Sequence, residues 1–182
     1  MVALGLIGEP CVGKTSVMRE LLLHQKGISR IQFGSAKAIE VKGRRLFVLG
    51  VYDGGVCDGT DRLSMNCYKD SLSLASWMIA DKKDHGLLWE GDRMNNAKWI
   101  DALKALGVSV ELWHLEASEE VMAERRRLRN STQSSRWAMG IKTKVDNMSK
   151  MYQARRIEMS GPDSAKVAAD EIIKHFAVKG LQ

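Results

Sequence analysis

Gly8-Glu9-Pro10-Cys11-Val12-Gly13-Lys14-Thr15 has the spacing G-x-x-x-x-G-K-[ST] of a phosphate-binding loop. Before it stands Val2-Ala3-Leu4-Gly5-Leu6-Ile7, an apolar run of the kind that forms a buried parallel strand. Behind it, Val17, Met18, Leu21 and Leu22 recur at helical spacing. Strand, glycine loop and helix follow one another in the order the motif needs. Gly8 and Gly13 let the loop curl so that backbone N–H groups converge on phosphate oxygens. The positive end of the helix faces the same anion. Lys14 adds a mobile ammonium for the outer phosphates. The Thr15 hydroxyl suits Mg²⁺, which keeps most of its waters and takes few protein ligands. Pro10 and Cys11 set the loop's shape, and Ser16 completes the phosphate-binding stretch.

Downstream, short apolar runs alternate with helical stripes. Ile31-Gln32-Phe33 reads as a short strand. Ala38-Ile39-Glu40-Val41 and Leu46 to Tyr52 flank Lys42-Gly43-Arg44-Arg45, which reads as a hairpin turn. The second run reads as a central strand that ends at Asp53. A loop rich in Gly and carboxylates follows, from Asp53 through Gly59-Thr60-Asp61-Arg62-Leu63-Ser64-Met65. Thr60 or Asp61 could cap the helix marked by Tyr68, Leu72, Ala75 and Ile79. Gly86-Leu87-Leu88-Trp89 is another buried strand and runs into Glu90-Gly91-Asp92-Arg93. Trp99, Leu103 and Leu106 mark a helix, Val108 to Leu115 a strand, and Ser118-Glu119-Glu120 a helix start. The segment 130–140 reads as a mobile polar loop, Ile157-Glu158-Met159 as a last short strand, and Val167 to Phe176 as a closing helix.

This alternation predicts an α/β fold, a mostly parallel sheet with helices on both faces and a small β-hairpin insertion. Residues 1–182 are expected to form one domain. Ligands of such sheets bind at the carboxyl ends of the strands. The glycine loop, Asp53 and Glu90-Gly91-Asp92-Arg93 all follow strands there, so one crevice should hold them.

Composition narrows the function classes. No apolar run is long enough to span a bilayer, and no basic leader with a cleavage site is read, so a cytoplasmic protein without membrane contact is expected. Three cysteines and four histidines show no metal-ligand spacing. The net charge is +6, and it is uneven. Arg125, Arg126, Arg127, Arg129, Arg136, Lys142, Lys144, Lys150, Arg155 and Arg156 crowd one stretch in which Asp146 is the only carboxylate. Such a patch would repel itself, which favours a polyanionic partner.

The glycine loop, the strand-end Glu90-Gly91-Asp92-Arg93 and the Arg-bearing helix around Arg125–Arg129 together resemble the P-loop kinases of nucleosides and nucleotides, over nearly the whole chain. The resemblance implies ATP and Mg²⁺ as cofactors, and an Arg-rich lid over about 124–150. Tyr52-Asp53 and Gly59-Thr60-Asp61-Arg62-Leu63-Ser64-Met65 look like a signature of bacteriophage kinases that phosphorylate 5-hydroxymethyluracil within DNA. That narrower resemblance implies DNA with a modified pyrimidine as substrate, without an obligate protein partner. A kinase of free nucleosides or nucleoside monophosphates would use the same machinery.

Phosphoryl transfer needs positioning and charge neutralisation. Lys14 and the loop N–H groups would hold the outer phosphates, and Thr15 with Glu90 or Asp92 would serve Mg²⁺. Asp53, expected to end the strand beside the glycine loop, is the first candidate for the base that accepts the proton of the attacking hydroxyl, and Asp61 the second. Arg62 and Arg93 suit anchoring through forked bonds. Arg125 and Arg129, four residues apart, share a helix face and could clamp the charge of the transition state.

Overall fold

The computed structural model describes the chain except His24, Val56, Cys57, Lys83, residues 131–134, Leu181 and Gln182; the side chains of Ser135 and Arg136 are also outside it. The readings that place the first helix end at His24 and count Arg136 in the basic run therefore fall outside the described residues.

The apolar run before the glycine loop forms β1 (Val2–Ile7), and α1 (Lys14–Leu23) starts at the motif's lysine. The remaining strands are β2 (Ile28–Phe33), β3 (Ala36–Val41), β4 (Leu46–Leu49), β5 (Gly86–Glu90), β6 (Ser109–Glu116) and β7 (Arg155–Glu158). The remaining helices are α2 (Cys67–Asp81), α3 (Ala97–Ala105), α4 (Glu119–Leu128), α5 (Ser135–Met151) and α6 (Ser164–Val178). Among the described residues the strands form one sheet in the order β2-β3-β4-β5-β1-β6-β7. From β4 to β7 every pairing is parallel, while β2, β3 and β4 pair antiparallel as the expected hairpin insertion. This is a mostly parallel α/β sheet covered on both faces.

Side-chain alternation divides the core. Leu4 and Leu6 of β1 and Leu46 and Val48 of β4 point to one face, where they meet Val17, Met18 and Leu21 of α1 and Ile172 and Phe176 of α6. Ala3 and Ile7, with Phe47 and Leu49, point to the other face, against residues of α2, α3 and α5. Trp89 and Trp99 meet edge to face there, with ring centroids 6.1 Å apart.

Three expectations are corrected. First, β4 stops at Leu49, and Asp53 lies four residues beyond it. Nor is β4 beside β1, since β5 lies between them. The chain leaves the sheet at Gly50 to cross the backbone of Gly59, where Val51 and Gly59 exchange N–H···O bonds of 3.1 and 2.8 Å. Second, in the segment 130–140, residues from Ser135 onward belong to helix α5; the expected loop can extend only over 130–134, of which 131–134 lie outside the described residues. Ile141, Val145 and Met148 recur at helical spacing and pack on the core, a stripe obscured in the sequence by the polar residues between them. Third, the last strand begins two residues earlier than expected, so Arg155 and Arg156 are strand residues paired with Trp113 and His114 of β6.

Candidate active site

The glycine loop lies beyond the end of β1, between β5 and β6, where chain connections depart in opposite directions. At Gly8 (φ 153) a side chain would stand 2.6 Å from the Leu115 carbonyl oxygen, so only glycine lets the loop pass β6 so closely. Cys11 takes the left-handed φ of 66. Lys14 Nζ donates to the carbonyl oxygens of Gly8 (2.7 Å) and Glu9 (3.0 Å). Burial pushes its pKa down, opposed by the charges of Glu90, Asp92 and Asp61. An ammonium resting on its own loop's carbonyls is poised to turn to an anion that offers stronger acceptors.

Register places Glu90 opposite Leu6, beside the loop. Its side chain is buried, and Thr15 Oγ1 donates to its Oε1 at 3.1 Å. Burial raises its pKa to about 7 against the lowering effects of Lys14 and of the Thr15 hydrogen bond. Asn95, which sequence reasoning missed, fixes this strand end. It donates to the Leu6 carbonyl oxygen and accepts from Trp89 Nε1, both at 2.9 Å.

The two stretches quoted for the kinase resemblance meet here. The short 3₁₀ turn Thr60–Arg62 docks on Glu90–Arg93. Thr60 Oγ1 donates to the Glu90 carbonyl oxygen at 2.8 Å, and the backbone N–H of Arg93 donates to Asp61 Oδ1 at 3.0 Å. Thr60 and Asp61 therefore fasten the turn to β5, and neither caps α2, whose N-cap is Asn66. A side chain at Gly59 would overlap Glu90 Oε1, so the turn can close on the carboxylate only with glycine at φ 96.

A cavity of about 950 Å³ opens at this end of the sheet. Gly8, Pro10, Cys11, Gly13, Lys14, Thr15 and Ser16 line it, as do Asp61, Glu90 and Asp92. Glu9 and Val12 contribute backbone carbonyl oxygens. Glu9 O holds Lys14, and Val12 O accepts from Arg125 Nη1 at 2.8 Å. The other arm of Arg125 donates to the Met159 carbonyl oxygen at 2.7 Å. Its fork ties the glycine loop to the end of β7. Arg129 also lines the cavity.

Asp53 and Arg62 are placed differently. They form an exposed pair with each other, and Arg62 holds the Asp53 carboxyl below the usual carboxylate range. Neither is among the residues that line the cavity, and Arg93 reaches the site through its backbone N–H. Asp58, which sequence reasoning passed over, is fully buried on the cavity wall and pairs with Arg19 at 2.7 Å.

The basic stretch is answered by carboxylates from elsewhere in the chain. Arg126 pairs with Glu119, Arg127 with Glu124, Arg155 with Glu171 and Arg156 with Glu116. From α5, Lys142 reaches Glu9 of the glycine loop at 3.8 Å and Lys144 reaches Asp92 at 3.5 Å. The expected self-repulsion is thus relieved within the fold. No group of His, Cys, Asp and Glu able to hold a metal by itself occurs among the described residues, and no helix there is long and apolar enough to cross a membrane.

No family model matches the chain, and no curated protein matches it. Among solved structures it is similar to shikimate kinase from Acinetobacter baumannii in complex with shikimate. The identity is 16%, the TM-score 0.43, and the match covers 100% of this chain and 96% of the other.

Proposed function

We propose that this chain is an ATP-dependent phosphotransferase that moves the γ-phosphate to a small acceptor, either a hydroxyl group of a nucleoside or a phosphate oxygen of a nucleoside monophosphate. One observation carries the reading. The turn Thr60–Arg62 is fastened to Glu90–Arg93 beside the glycine loop, which sets Lys14, Thr15, Asp61, Glu90 and Asp92 around one cavity. A nucleotide-binding module without chemistry would have no need of a second carboxylate-bearing wall.

Lys14 and the loop N–H groups hold the outer phosphates. The hard oxygens of Thr15, Glu90 and Asp92 fit Mg²⁺, which would neutralise the charge that builds on the phosphoryl oxygens. Asp61 lines the cavity and is held by a backbone N–H, which suits a base that must stay oriented. Asp53, occupied by Arg62 outside the cavity, is less suited. Arg125 supports catalysis by fixing the loop, and Arg129 lies where it can meet phosphate charge.

A second reading is favoured by the stretch Gly59–Met65, whose first half builds the wall across from the loop. It takes as acceptor the hydroxymethyl group of 5-hydroxymethyluracil in DNA, extruded from the helix or presented on a single strand. The ion pairs of the basic stretch count against extensive phosphate-backbone contact, and so favour the free acceptor.

Transfer of labelled γ-phosphate to free nucleosides, to nucleoside monophosphates and to hydroxymethyluracil DNA, with Lys14→Ala as control, tests both. Transfer to a free acceptor that Lys14→Ala abolishes supports the first reading, and transfer confined to DNA supports the second. Near-wild-type turnover by Lys14→Ala would refute both.

A further inference from the structure

Beyond the phosphate machinery described above, an ion pair between a half-exposed arginine and a buried carboxylate lies on the cavity wall. Arg19 follows Thr15 by one helical turn, so it stands on the same face of α1 as the motif's hydroxyl. Its Nε and Nη2 both engage Asp58 Oδ2, at 2.9 and 2.7 Å, and Nη2 also donates to the Gly55 carbonyl oxygen at 2.6 Å. The Asp58 side chain is 0% exposed and that of Arg19 is 46% exposed. One edge of the guanidinium is thus consumed by the chain, and Arg19 is among the residues that line the cavity.

The charge of this wall decides what it can accept. A phosphate is gripped best by a guanidinium fork with two free N–H groups. Asp58 and the Gly55 carbonyl oxygen already occupy that fork on Arg19. Arg62 is engaged by Asp53 and lies 3.7 Å from Asp58. Asp61, Glu90 and Asp92 add carboxylates to the same cavity, and Lys144 of α5 is drawn to Asp92. A dianion at this wall would meet Asp58 and Asp61 with the Arg19 and Arg62 forks already engaged by the chain. An uncharged polar group could instead use the remaining N–H of Arg19, the exposed Gly54 backbone and the second lone pair of the Gly55 carbonyl oxygen, whose N–H is already given to Asp53.

We propose that Arg19, Asp58 and the Gly54–Gly55 backbone form the acceptor-recognition wall, and that it selects an uncharged, hydrogen-bonding acceptor such as a nucleoside or an extruded base over a phosphate-bearing one. The inference rests on the kinase reading and narrows it, since it rejects nucleoside monophosphates.

The test is calorimetric titration of the whole chain, first with a non-hydrolysable ATP analogue and Mg²⁺, then with 5-hydroxymethyl-2′-deoxyuridine and with its 5′-monophosphate. The nucleoside is expected to bind more tightly than the monophosphate by about tenfold or more, the discrimination expected of unscreened like charges a few ångströms apart. Asp58→Asn, which removes the neutralising carboxylate and opens the Arg19 fork, should shrink or invert that preference with analogue affinity unchanged. Arg19→Gln should weaken nucleoside binding only. If Asp58→Asn fails to fold, the wild-type comparison stands alone. Equal or tighter binding of the monophosphate by wild type, or binding of neither acceptor by a chain that binds the analogue, overturns the proposal and leaves the kinase reading intact. Failure to bind the analogue overturns the kinase reading, and the proposal with it.

Discussion

Replacing Glu90 with Gln should remove from the pH dependence of stability between pH 4.5 and 7 the part that this carboxyl contributes. The carboxyl is buried beside the glycine loop, and burial lifts its pKa from 4.5 to about 7 despite Lys14 and the Thr15 hydroxyl. Below pH 4.5 the group is protonated in folded and unfolded chains alike. Between pH 4.5 and 7 the unfolded chain releases the proton and the folded chain keeps it, so the folded state binds more protons and stability falls as pH rises. Above pH 7 both are ionised and the folded chain carries the full burden. At about 1.4 kcal/mol per pH unit, the gap between 4.5 and about 7 amounts to about 3 kcal/mol.

Urea unfolding at pH 4.5 and pH 8 reads this out. With a slope of about 2 kcal/mol per molar urea, the wild-type midpoint should fall by about 1.5 M relative to Glu90→Gln over that range. His85, His114 and His175, whose pKa values burial lowers, contribute with the opposite sign. They are common to both proteins and cancel in the difference. A wild type and a Glu90→Gln variant with parallel pH profiles would refute the reasoning, and with it the buried carboxyl whose pKa is raised to about 7.

Asp61→Asn should retain ATP-analogue binding and lower kcat by about 10²–10⁴-fold, whereas Asp53→Asn should cost less than tenfold; single-turnover transfer compares them, and the reverse order would return the base to Asp53. Arg125→Ala should lose about 2–3 kcal/mol of stability, because two carbonyl oxygens lose a charged donor, and Arg125→Lys should not restore it, since an ammonium lacks the fork; equal midpoints for Arg125→Lys and wild type would refute that account. Neutralising Lys142, Lys144 and Lys150 together should leave any DNA binding and its salt slope little changed if Lys142 and Lys144 face the site; a slope flattened by about 0.9 per lost contact would restore the DNA-facing reading.

What could be read from the chain without its fold follows the range of the interactions. The glycine loop, its strand and its helix are specified by neighbours in sequence, and residues 2–23 fold as their spacing predicts. The Ser118 cap is local too, and its hydroxyl accepts from the Val121 N–H. Helix α5 is hard to read from the sequence because its core-facing stripe of Ile141, Val145 and Met148 is thin and separated by Lys142-Thr143-Lys144 and Asp146-Asn147. The place of the strand before Asp53 was not legible, because a strand's position in a sheet is a non-local property. An apolar run can be recognised as a strand, but nothing within Leu46–Leu49 says that β5 comes between it and β1. Asn95 and Asp58 carried no signal, since each matters only through partners far along the chain.

The basic stretch shows the same limit in electrostatic form. Counted along the chain, it holds one carboxylate against a run of cations, and a polyanion looks necessary. Counted in space, Glu119, Glu124, Glu116 and Glu171 meet its arginines, and Glu9 and Asp92 meet Lys142 and Lys144. The exposed pairs stabilise the fold little, because solvent screens them. The last two differ, since their carboxylates belong to the glycine loop and to the strand end that would serve Mg²⁺. A nucleotide entering with Mg²⁺ would compete for Asp92 and offer its own phosphates to Lys144. Lys142 and Lys144 are therefore better placed to exchange a carboxylate of the site for a nucleotide phosphate than to meet a DNA backbone.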